Sequence, residues 1–193
     1  MPRTEEQYEE IRESRKAQIM DTALELFASG GFHETSISKI ASNAGISKGL
    51  MYNYFASKEE LIKEIIHKGV DSILKSFDPD HDGYLTDDEF EFYVNENFRI
   101  LKENIPYWKL YFAVMMQPSV HKLVHETYAD IAPGLIPVLV NYFRRKGVPD
   151  AELEAECFGA LLDGASLNFI VDPDHFPLEK IKKLIINKFS YNQ

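Results

Sequence analysis

Three aspartates on alternate residues are the side chains of this 193-residue chain best suited to hold a metal ion. Asp78, Asp80 and Asp82 occupy the first, third and fifth positions of a segment that closes with Glu89. Short carboxylates at this spacing converge on a hard cation such as calcium, and Gly83 in the sixth position permits the sharp turn that this requires. The sequence therefore predicts a calcium-binding loop.

The other positions of the segment support the same reading. Tyr84 can supply its backbone carbonyl and Thr86 can act through a water. In order and spacing, residues 78–89 match the EF-hand calcium loop, so Ca²⁺ is the one cofactor that the sequence suggests, with a structural or modulatory role. The alternative is an acidic, capped connection between two helices that never holds an ion. A later segment, residues 172–175, repeats only the opening of the pattern.

A second chemical pattern lies in residues 36–55, which read as two short helices joined by a tight turn. Gly45 stands where the first helix should end in a left-handed residue, and Ser47 can cap the second. We expect Leu50 and Phe55 to face inward. The rest of the second helix is polar, aromatic and basic, which favours a helix-turn-helix that presents it to the major groove. The alternative is a small helical hairpin in an ordinary core.

Residues 15–66 resemble the DNA-binding domain of the TetR (tetracycline-repressor) family of transcriptional regulators. The matching features are Ala23, Leu26 and Phe27, the turn Gly30-Gly31-Phe32, Thr35, Ile40-Ala41, the run Gly45–Gly49 and the run Tyr52–Leu61. The resemblance implies a repressor that binds double-stranded, palindromic operator DNA as a homodimer and is released by a small-molecule effector. It implies no required cofactor.

Carried over to this sequence, the resemblance also assigns roles to residues. It implies that Lys48, Tyr52 and Asn53 read base edges. It implies phosphate contacts for Thr35, Tyr54 and Lys58, and weaker ones for Lys39 and Ser47. Ser36, a predicted helix cap, is also counted among the DNA-binding residues. For each of these residues the alternative is solvent exposure or helix capping.

The predicted fold class is all-α, with about nine helices. We expect residues 1–14 to form a flexible arm, residues 15–57 a three-helix helix-turn-helix domain, and residues 58–193 a helical effector-binding and dimerisation domain. Within the last, residues 58–77 form a linker helix and residues 78–89 the calcium loop. We expect the helical stretch after Val120 to be interrupted at Ala132-Pro133-Gly134 and near Pro137. The resemblance implies dimerisation through the last two helices.

Residues 106–118 are apolar nearly all round, so this helix must be buried on several sides. Its aromatic and thioether side chains suit a loosely defined apolar or amphipathic guest. Plain core packing is the alternative, and nothing in the sequence identifies the effector. The predicted pocket residues are Phe98, Tyr107, Trp108, Tyr111, Phe112, Met115 and Met116.

The net charge of −10 is unevenly distributed. Residues 11–58 carry six cations against four anions, so the attraction to phosphate is confined to this segment. A single cysteine excludes an internal disulfide, and no apolar run is long enough to span a membrane, so we expect a cytoplasmic protein. No catalytic motif accompanies the six histidines, which argues against an enzyme. The remaining alternative is a calcium-responsive sensor or buffer that uses the helices only as a scaffold.

Overall fold

The computed structural model describes residues 4–80 and 82–190, and all regular structure within them is helical. Nine α-helices and one 3₁₀ turn confirm the predicted all-α class and helix number for the described residues. The helices are α1 (Glu5–Gly30), α2 (Ile37–Asn43), α3 (Lys48–Met51), α4 (Lys58–Leu74), α5 (Asp87–Glu103), α6 (Ile105–Met115), α7 (His121–Arg145), α8 (Ala151–Val171) and α9 (Leu178–Phe189), with the 3₁₀ turn at Pro118–Val120.

The chain forms two compact units, whose limits differ from the predicted domains. The first unit contains residues up to Lys68 together with Leu110–Thr127, and the second contains Gly69–Lys109 and the residues from Tyr128 onward. The first eleven residues of α4, Lys58 to Lys68, therefore belong with the helix-turn-helix, as does the later segment Leu110–Thr127. Helices α4, α6 and α7 contribute residues to both units.

Helix α1 begins earlier than the sequence predicted. Thr4 and Gln7 form a reciprocal capping box, in which the Gln7 amide donates to Thr4 Oγ1 at 3.3 Å and the Thr4 amide donates to Gln7 Oε1 at 3.1 Å. Residues 5–14 of the predicted arm are therefore helical, because this cap satisfies the first orphan amides and starts the helix at Glu5, while the flexibility of the arm stays a prediction. Residues 1–3 lie outside the described residues. The buried face of α1 consists of Ile19, Met20, Ala23, Leu24 and Phe27.

Serine caps and one left-handed glycine define the next two helices. Ser36 Oγ accepts from the Lys39 amide at 3.2 Å, and Ser47 Oγ accepts from the Leu50 amide at 3.1 Å. Gly45 has φ +68°, the conformation that glycine adopts without a Cβ clash. The α-helical part of α3 spans only four residues, fewer than predicted.

The inward face of α3 also differs from the prediction. Met51 and Phe55 are buried at 0% and 1% exposure, whereas Leu50 is 40% exposed. The predicted inward position of Leu50 is wrong, because α3 ends after one turn in 3₁₀-type bonds from Asn53 to Leu50 and from Tyr54 to Met51. This tightening moves the buried stripe to Met51 and Phe55.

An aromatic cluster forms the core of the second unit. The Phe90 ring stacks on Tyr142 with centroids 4.9 Å apart and lies 5.0 Å from the Phe158 ring, which is 5.2 Å from Phe189. These four side chains come from α5, α7, α8 and α9, so one cluster holds together helices that are distant in sequence. Contacts between aromatic rings stabilise such a cluster beyond what the burial of apolar area alone contributes.

Helix α7 is continuous over 25 residues although it contains Pro133 and Pro137. The predicted interruptions are therefore wrong as breaks in the helix, while a kink at either proline stays a prediction. Both prolines and Gly134 lie on the exposed side, where water can satisfy the carbonyls that lose their helical donors. Among the described residues, no helix is both long and apolar enough to cross a bilayer.

Candidate DNA-binding surface and cation loop

The exposed side of α3 and the turn after it carries the three predicted base-reading residues. Lys48, Tyr52 and Asn53 are all exposed, and Tyr52 retains 49% of its surface. They point outward because Met51 and Phe55, between and after them, are anchored in the core. A short basic and aromatic surface of this kind suits the major groove, where amides and cations pair with base edges.

The two serines among the predicted DNA-binding residues, Ser36 and Ser47, act as helix caps. Each side-chain oxygen of Ser36 and Ser47 accepts one backbone amide, and each residue is exposed. A hydroxyl that accepts in this way still has a proton to donate, so capping and phosphate contact are compatible. Lys39 is exposed on the same helix as the Ser36 cap, and Tyr54 is half-buried.

The Thr35 side chain does not reach the surface. Thr35 is fully buried, and its hydroxyl lies 3.1 Å from the Leu26 carbonyl oxygen and 2.9 Å from that of Gly31. This hydroxyl fastens the turn after α1 to the end of α1. This geometry therefore does not favour the phosphate contact that the resemblance implies for the Thr35 hydroxyl.

Lys58 also binds within the domain. Its Nζ donates to the carbonyl oxygens of Phe32 at 2.6 Å, Thr35 at 3.1 Å and His33 at 3.3 Å. The same Nζ lies 4.4 Å from the centroid of the Phe32 ring. An ammonium has three protons, and the carbonyls of this one turn accept all of them. The predicted phosphate contact would therefore compete with these bonds.

Gln117 is a residue of this site that sequence reasoning missed. Its Oε1 accepts from the Phe32 amide at 2.9 Å, and its Nε2 donates to the Phe27 carbonyl at 2.8 Å. Gln117 precedes the 3₁₀ turn after α6 and reaches back 85 and 90 residues along the chain. No spacing or motif signals such a contact.

Two ion pairs join helices of the first unit at its surface. Lys63 of α4 donates to Glu126 of α7 at 2.7 Å, and this bond lowers the pKa of the Glu126 carboxyl. Lys16 of α1 pairs with Glu64 of α4, also at 2.7 Å. Both pairs are partly exposed, so each contributes modestly.

The three predicted aspartate ligands lie together. One carboxylate oxygen from each of Asp78, Asp80 and Asp82 falls within 4.8 Å of the others. Asp78 Oδ1 is buried and has no hydrogen-bond partner among the residues that the structure describes, while Gly83 makes the required turn at φ +74°. The Asp82 amide lowers the pKa of the Asp80 carboxyl, but desolvation and the charges of Asp82 and Glu89 outweigh it and raise that pKa overall. Repelling carboxylates of this kind fit a cation.

The closing ligand of the loop is turned toward a different partner. Glu89 Oε2 accepts from the Thr86 amide at 2.8 Å and from Thr86 Oγ1 at 2.7 Å, which forms the capping box of α5. Glu89 would have to use its other oxygen or rotate to complete a coordination shell. Tyr84 is exposed, and its predicted contribution is a backbone carbonyl. The three aspartates at the start of the loop thus fit a calcium ion as they stand, whereas Glu89 at its end needs rearrangement.

The exit of the loop is attached to the end of α7. The Arg145 guanidinium lies 3.7 Å from the centroid of the Tyr84 ring and donates to the Leu85 carbonyl at 2.6 Å. Lys146 donates to Asp87 at 2.6 Å. Tyr142 is also a donor to Asp87, and desolvation together with the Asp87 charge raises the pKa of its phenol. A cavity of about 380 Å³ lies here, lined by Tyr84–Asp88, Tyr142, Arg145 and Lys146.

The predicted effector-pocket residues are divided between the two units. Phe98, Tyr107 and Trp108 belong to the second unit, where Phe98 and Trp108 are buried and Trp108 Nε1 donates to the Ile100 carbonyl at 3.2 Å. Residues 111–116 belong to the first. There Tyr111 is buried, Phe112 and Met115 are half-buried, and Met116 is exposed. That they line one cavity stays a prediction.

A helix-turn-helix with an outward basic and aromatic recognition surface defines a DNA-binding domain. Residues 19–65 match the family described as "Bacterial regulatory proteins, tetR family". The helix-turn-helix segment is thus similar to this family, and the described chain has a TetR-like fold with a helical second part.

Curated relatives match this segment. The fatty acid metabolism regulator protein of Bacillus subtilis is 33% identical over 63 residues, which cover 33% of this chain and 32% of the relative. The HTH-type transcriptional repressor KstR2 of Mycobacterium tuberculosis is 38% identical over 58 residues, covering 30% and 29%. The matches thus span about a third of these relatives' length. The relatives are transcriptional regulators and not enzymes.

Solved structures show the same fold over nearly the whole chain. FadR from Bacillus subtilis in complex with stearoyl-CoA superposes with a TM-score of 0.70 at 18% identity, covering 90% of this chain and 97% of that one. The fatty acid degradation regulator FadR from Bacillus halodurans gives a TM-score of 0.69 at 21% identity, covering 91% and 94%. At this level of identity the likeness concerns the fold.

The Lys58 contacts predict a stability effect that an exposed lysine lacks. Lys58→Ala removes the donor for three carbonyls and should lower the free energy of unfolding by about 1–3 kcal/mol. Lys48→Ala, which removes an exposed lysine of the same domain, should change it by less than about 0.5 kcal/mol. Urea unfolding followed by circular dichroism measures both. Equal midpoints for the two variants would contradict the assignment of Lys58 to the turn.

Proposed function

We propose that this protein is a transcriptional regulator, acting as a repressor, that binds a palindromic operator as a homodimer and is released by a small amphipathic effector. The observation that carries the proposal is the outward presentation of Lys48, Tyr52 and Asn53 on a helix-turn-helix of the tetR family. The relatives include the repressor KstR2 and the activator FasR of Mycolicibacterium smegmatis, and of the two directions we propose repression.

The charge distribution supports local contact with DNA. The positive balance lies within residues 11–58, while the rest of the chain is acidic. Lys39 and Lys48 are exposed on the two helices of the motif, where phosphates flank a helix seated in the major groove. An acidic remainder opposes wrapping of DNA around other surfaces. Binding should therefore be confined to the recognition surface.

An exposed apolar face on α8 supports the homodimer. Leu153 and Val171 are 54% and 68% exposed, and Cys157 and Leu161 are exposed between them. A Cβ added at Gly164, on the same helix, would meet no atom within 4 Å. Small and apolar residues of this kind allow a second helix to pack closely. On α9, Leu184 is likewise 54% exposed, so both final helices offer surface to a second copy.

The operator prediction separates phosphate contacts from base readout. A duplex selected by the wild-type protein from a random library should be palindromic, with half-sites about one helical turn apart. Lys39→Ala should weaken binding to all sequences evenly and reduce the slope of log affinity against log salt by about one. Asn53→Ala should change the preference at one position of each half-site. Fluorescence anisotropy at several salt concentrations measures these effects.

The matched control is Lys102→Ala, which removes an exposed lysine from α5, outside the motif and outside the two final helices proposed for dimerisation. It should leave affinity and salt slope unchanged. If Lys39→Ala and Asn53→Ala each lowered binding to every sequence by the same factor, the division of roles would be wrong. If the wild-type protein selected no duplex at all, the regulator proposal would fail.

We place the effector among amphipathic molecules with a long apolar part. The apolar residues of α6 and the buried Phe98 support this class. The fold neighbour from Bacillus subtilis was solved with stearoyl-CoA, which makes a long-chain acyl thioester the first ligand to test. A ligand of this kind gains affinity mainly from burial of its chain, so affinity should rise with chain length.

The effector prediction is therefore a chain-length series. Acyl-CoA thioesters added to the preformed protein–operator complex should release the duplex at lower concentrations as the acyl chain lengthens, because each buried methylene adds about 0.8 kcal/mol. Free coenzyme A is the matched control and should release nothing. Competition followed by anisotropy measures the release. Release by coenzyme A alone, or by no acyl chain of any length, would rule out this effector class.

We further propose that residues 78–89 bind Ca²⁺ weakly, as a structural or modulatory ion. Support comes from the converging carboxylates and the buried Asp78 Oδ1. Asp78, Asp80, Asp82, Glu89 and the carbonyl of Tyr84 would hold the ion, with Thr86 acting through a water. The rearrangement that Glu89 needs places the dissociation constant on the order of 10⁻⁵–10⁻³ M. If calcium bound while no duplex did, the sensor or buffer alternative would be favoured.

The calcium prediction concerns Glu89→Gln, which can keep the capping box but loses a charge. Terbium luminescence or calorimetry should give at least about tenfold weaker binding for this variant than for the wild type, since a bidentate carboxylate is lost. Asp174→Asn, in the later segment that lacks the glycine and the closing glutamate, is the control and should bind like the wild type. Identical titrations for all three proteins would remove the site.

A further inference from the structure

The turn after α1 is held by residues distant in sequence. Phe32 is buried at 4% exposure, and its amide donates to Gln117 at 2.9 Å. Its carbonyl accepts from Lys58 at 2.6 Å, and the Lys58 ammonium also lies over its ring. Both backbone groups of one buried residue are therefore satisfied from outside the turn. A buried amide without a partner is costly, so these contacts constrain the backbone here.

Gln117 uses both ends of its amide. While Oε1 accepts from Phe32, Nε2 donates to the Phe27 carbonyl, which also accepts from the Gly31 amide at 3.0 Å. A primary amide accepts through its oxygen and donates through its nitrogen from one flat group. A carboxylate would lack the donor for Phe27, and an apolar side chain would lack both. Gln117 thus joins the last turn of α1 to the residue that leads into α2.

The place of Gln117 in the chain links this contact to α6. The Gln117 amide donates to the Val114 carbonyl at 3.0 Å, so the residue continues the end of α6 directly. Helix α6 contributes residues to both compact units, including Trp108 in the second. Two consecutive hydrogen bonds therefore connect the end of α6 to the Phe32 amide.

We propose that Gln117 is a positioning residue for DNA binding: it fixes the Phe32–Ser36 turn, and with it the start of α2, to the corner between α6 and α7. The proposal rests on the proposed regulator function. It adds a residue outside the helix-turn-helix that sets operator affinity without touching DNA. Gln117 touches no DNA in this account, so it acts on affinity and leaves sequence preference to the residues of α3.

Gln117→Ala provides the test. It leaves the buried Phe32 amide without its acceptor and should weaken binding to the selected duplex roughly three- to tenfold, the range expected for one or two lost hydrogen bonds. The salt slope should stay unchanged because no cation is removed, and the preferred sequence should stay the same. Gln18→Ala is the matched control, since Gln18 is an exposed glutamine of α1 whose side-chain oxygen accepts from Arg15, three residues away. It should bind like the wild type.

Two further measurements separate positioning from general loss of folding. Stoichiometric titration with excess duplex gives the active fraction, which should equal that of the wild type. If Gln117→Ala fails to fold, Gln117→Met keeps the length of the side chain, lacks both hydrogen-bonding ends and should show the same weakening. Wild-type affinity in whichever of these variants folds would overturn the proposal, as would an equal loss in Gln18→Ala.

A readout without DNA keeps this proposal distinct from the proposed function. In ¹H–¹⁵N spectra of the full chain, Gln117→Ala should shift the Phe32 amide signal and signals through Lys39. Shifts confined to residues next to Gln117 would overturn the positioning role. If the wild type selected no duplex but the shifts spread through Lys39, the regulator function would fail while the structural link from α6 to α2 would stand.

Discussion

The position of Phe32 constrains the rest of the DNA-binding unit. Its ring and both backbone polar groups are held by a lysine that begins α4 and a glutamine that follows α6. Buried backbone groups are paired almost without exception, so the turn can take few other positions while these residues stay in place. The position of the turn also fixes the start of α2, four residues later. A three-helix motif is thereby oriented by two polar contacts from outside it.

The recognition surface depends on that orientation because α3 is too short to be stable alone. A single helical turn fixes several backbone angles for very few hydrogen bonds. The Ser47 cap and the burial of Met51 and Phe55 supply what the helix itself lacks. The same two buried side chains turn Lys48, Tyr52 and Asn53 toward solvent. The burial of Met51 and Phe55 and the exposure of Lys48, Tyr52 and Asn53 therefore depend on one another. A change at the Phe32 turn alters both.

The features set by nearby residues could be predicted from the sequence. The serine caps, the left-handed Gly45, the aspartate spacing of the loop and the bounds of α5 all follow from residues within one or two turns. The contacts made across long separations could not. An ammonium has the same chemistry whether its acceptor is a phosphate or a carbonyl, so Lys58 looked like a DNA contact until its three partners were located. Nothing near Gln117 in sequence signals its partners at Phe27 and Phe32. The continuity of α7 through Pro133 and Pro137 could not be predicted either, because both prolines are exposed and exposure depends on the packing of the whole unit.

Hydrogen exchange at the Phe32 amide tests the central claim most directly. The side-chain acceptor of this amide lies 85 residues away, and the residue is buried. In the wild-type protein it should therefore exchange as slowly as the core amides of α1, because opening it requires the corner after α6 to separate from the motif. Exchange as fast as that of an exposed turn amide would contradict the account, since the motif would then be oriented without the contact from Gln117.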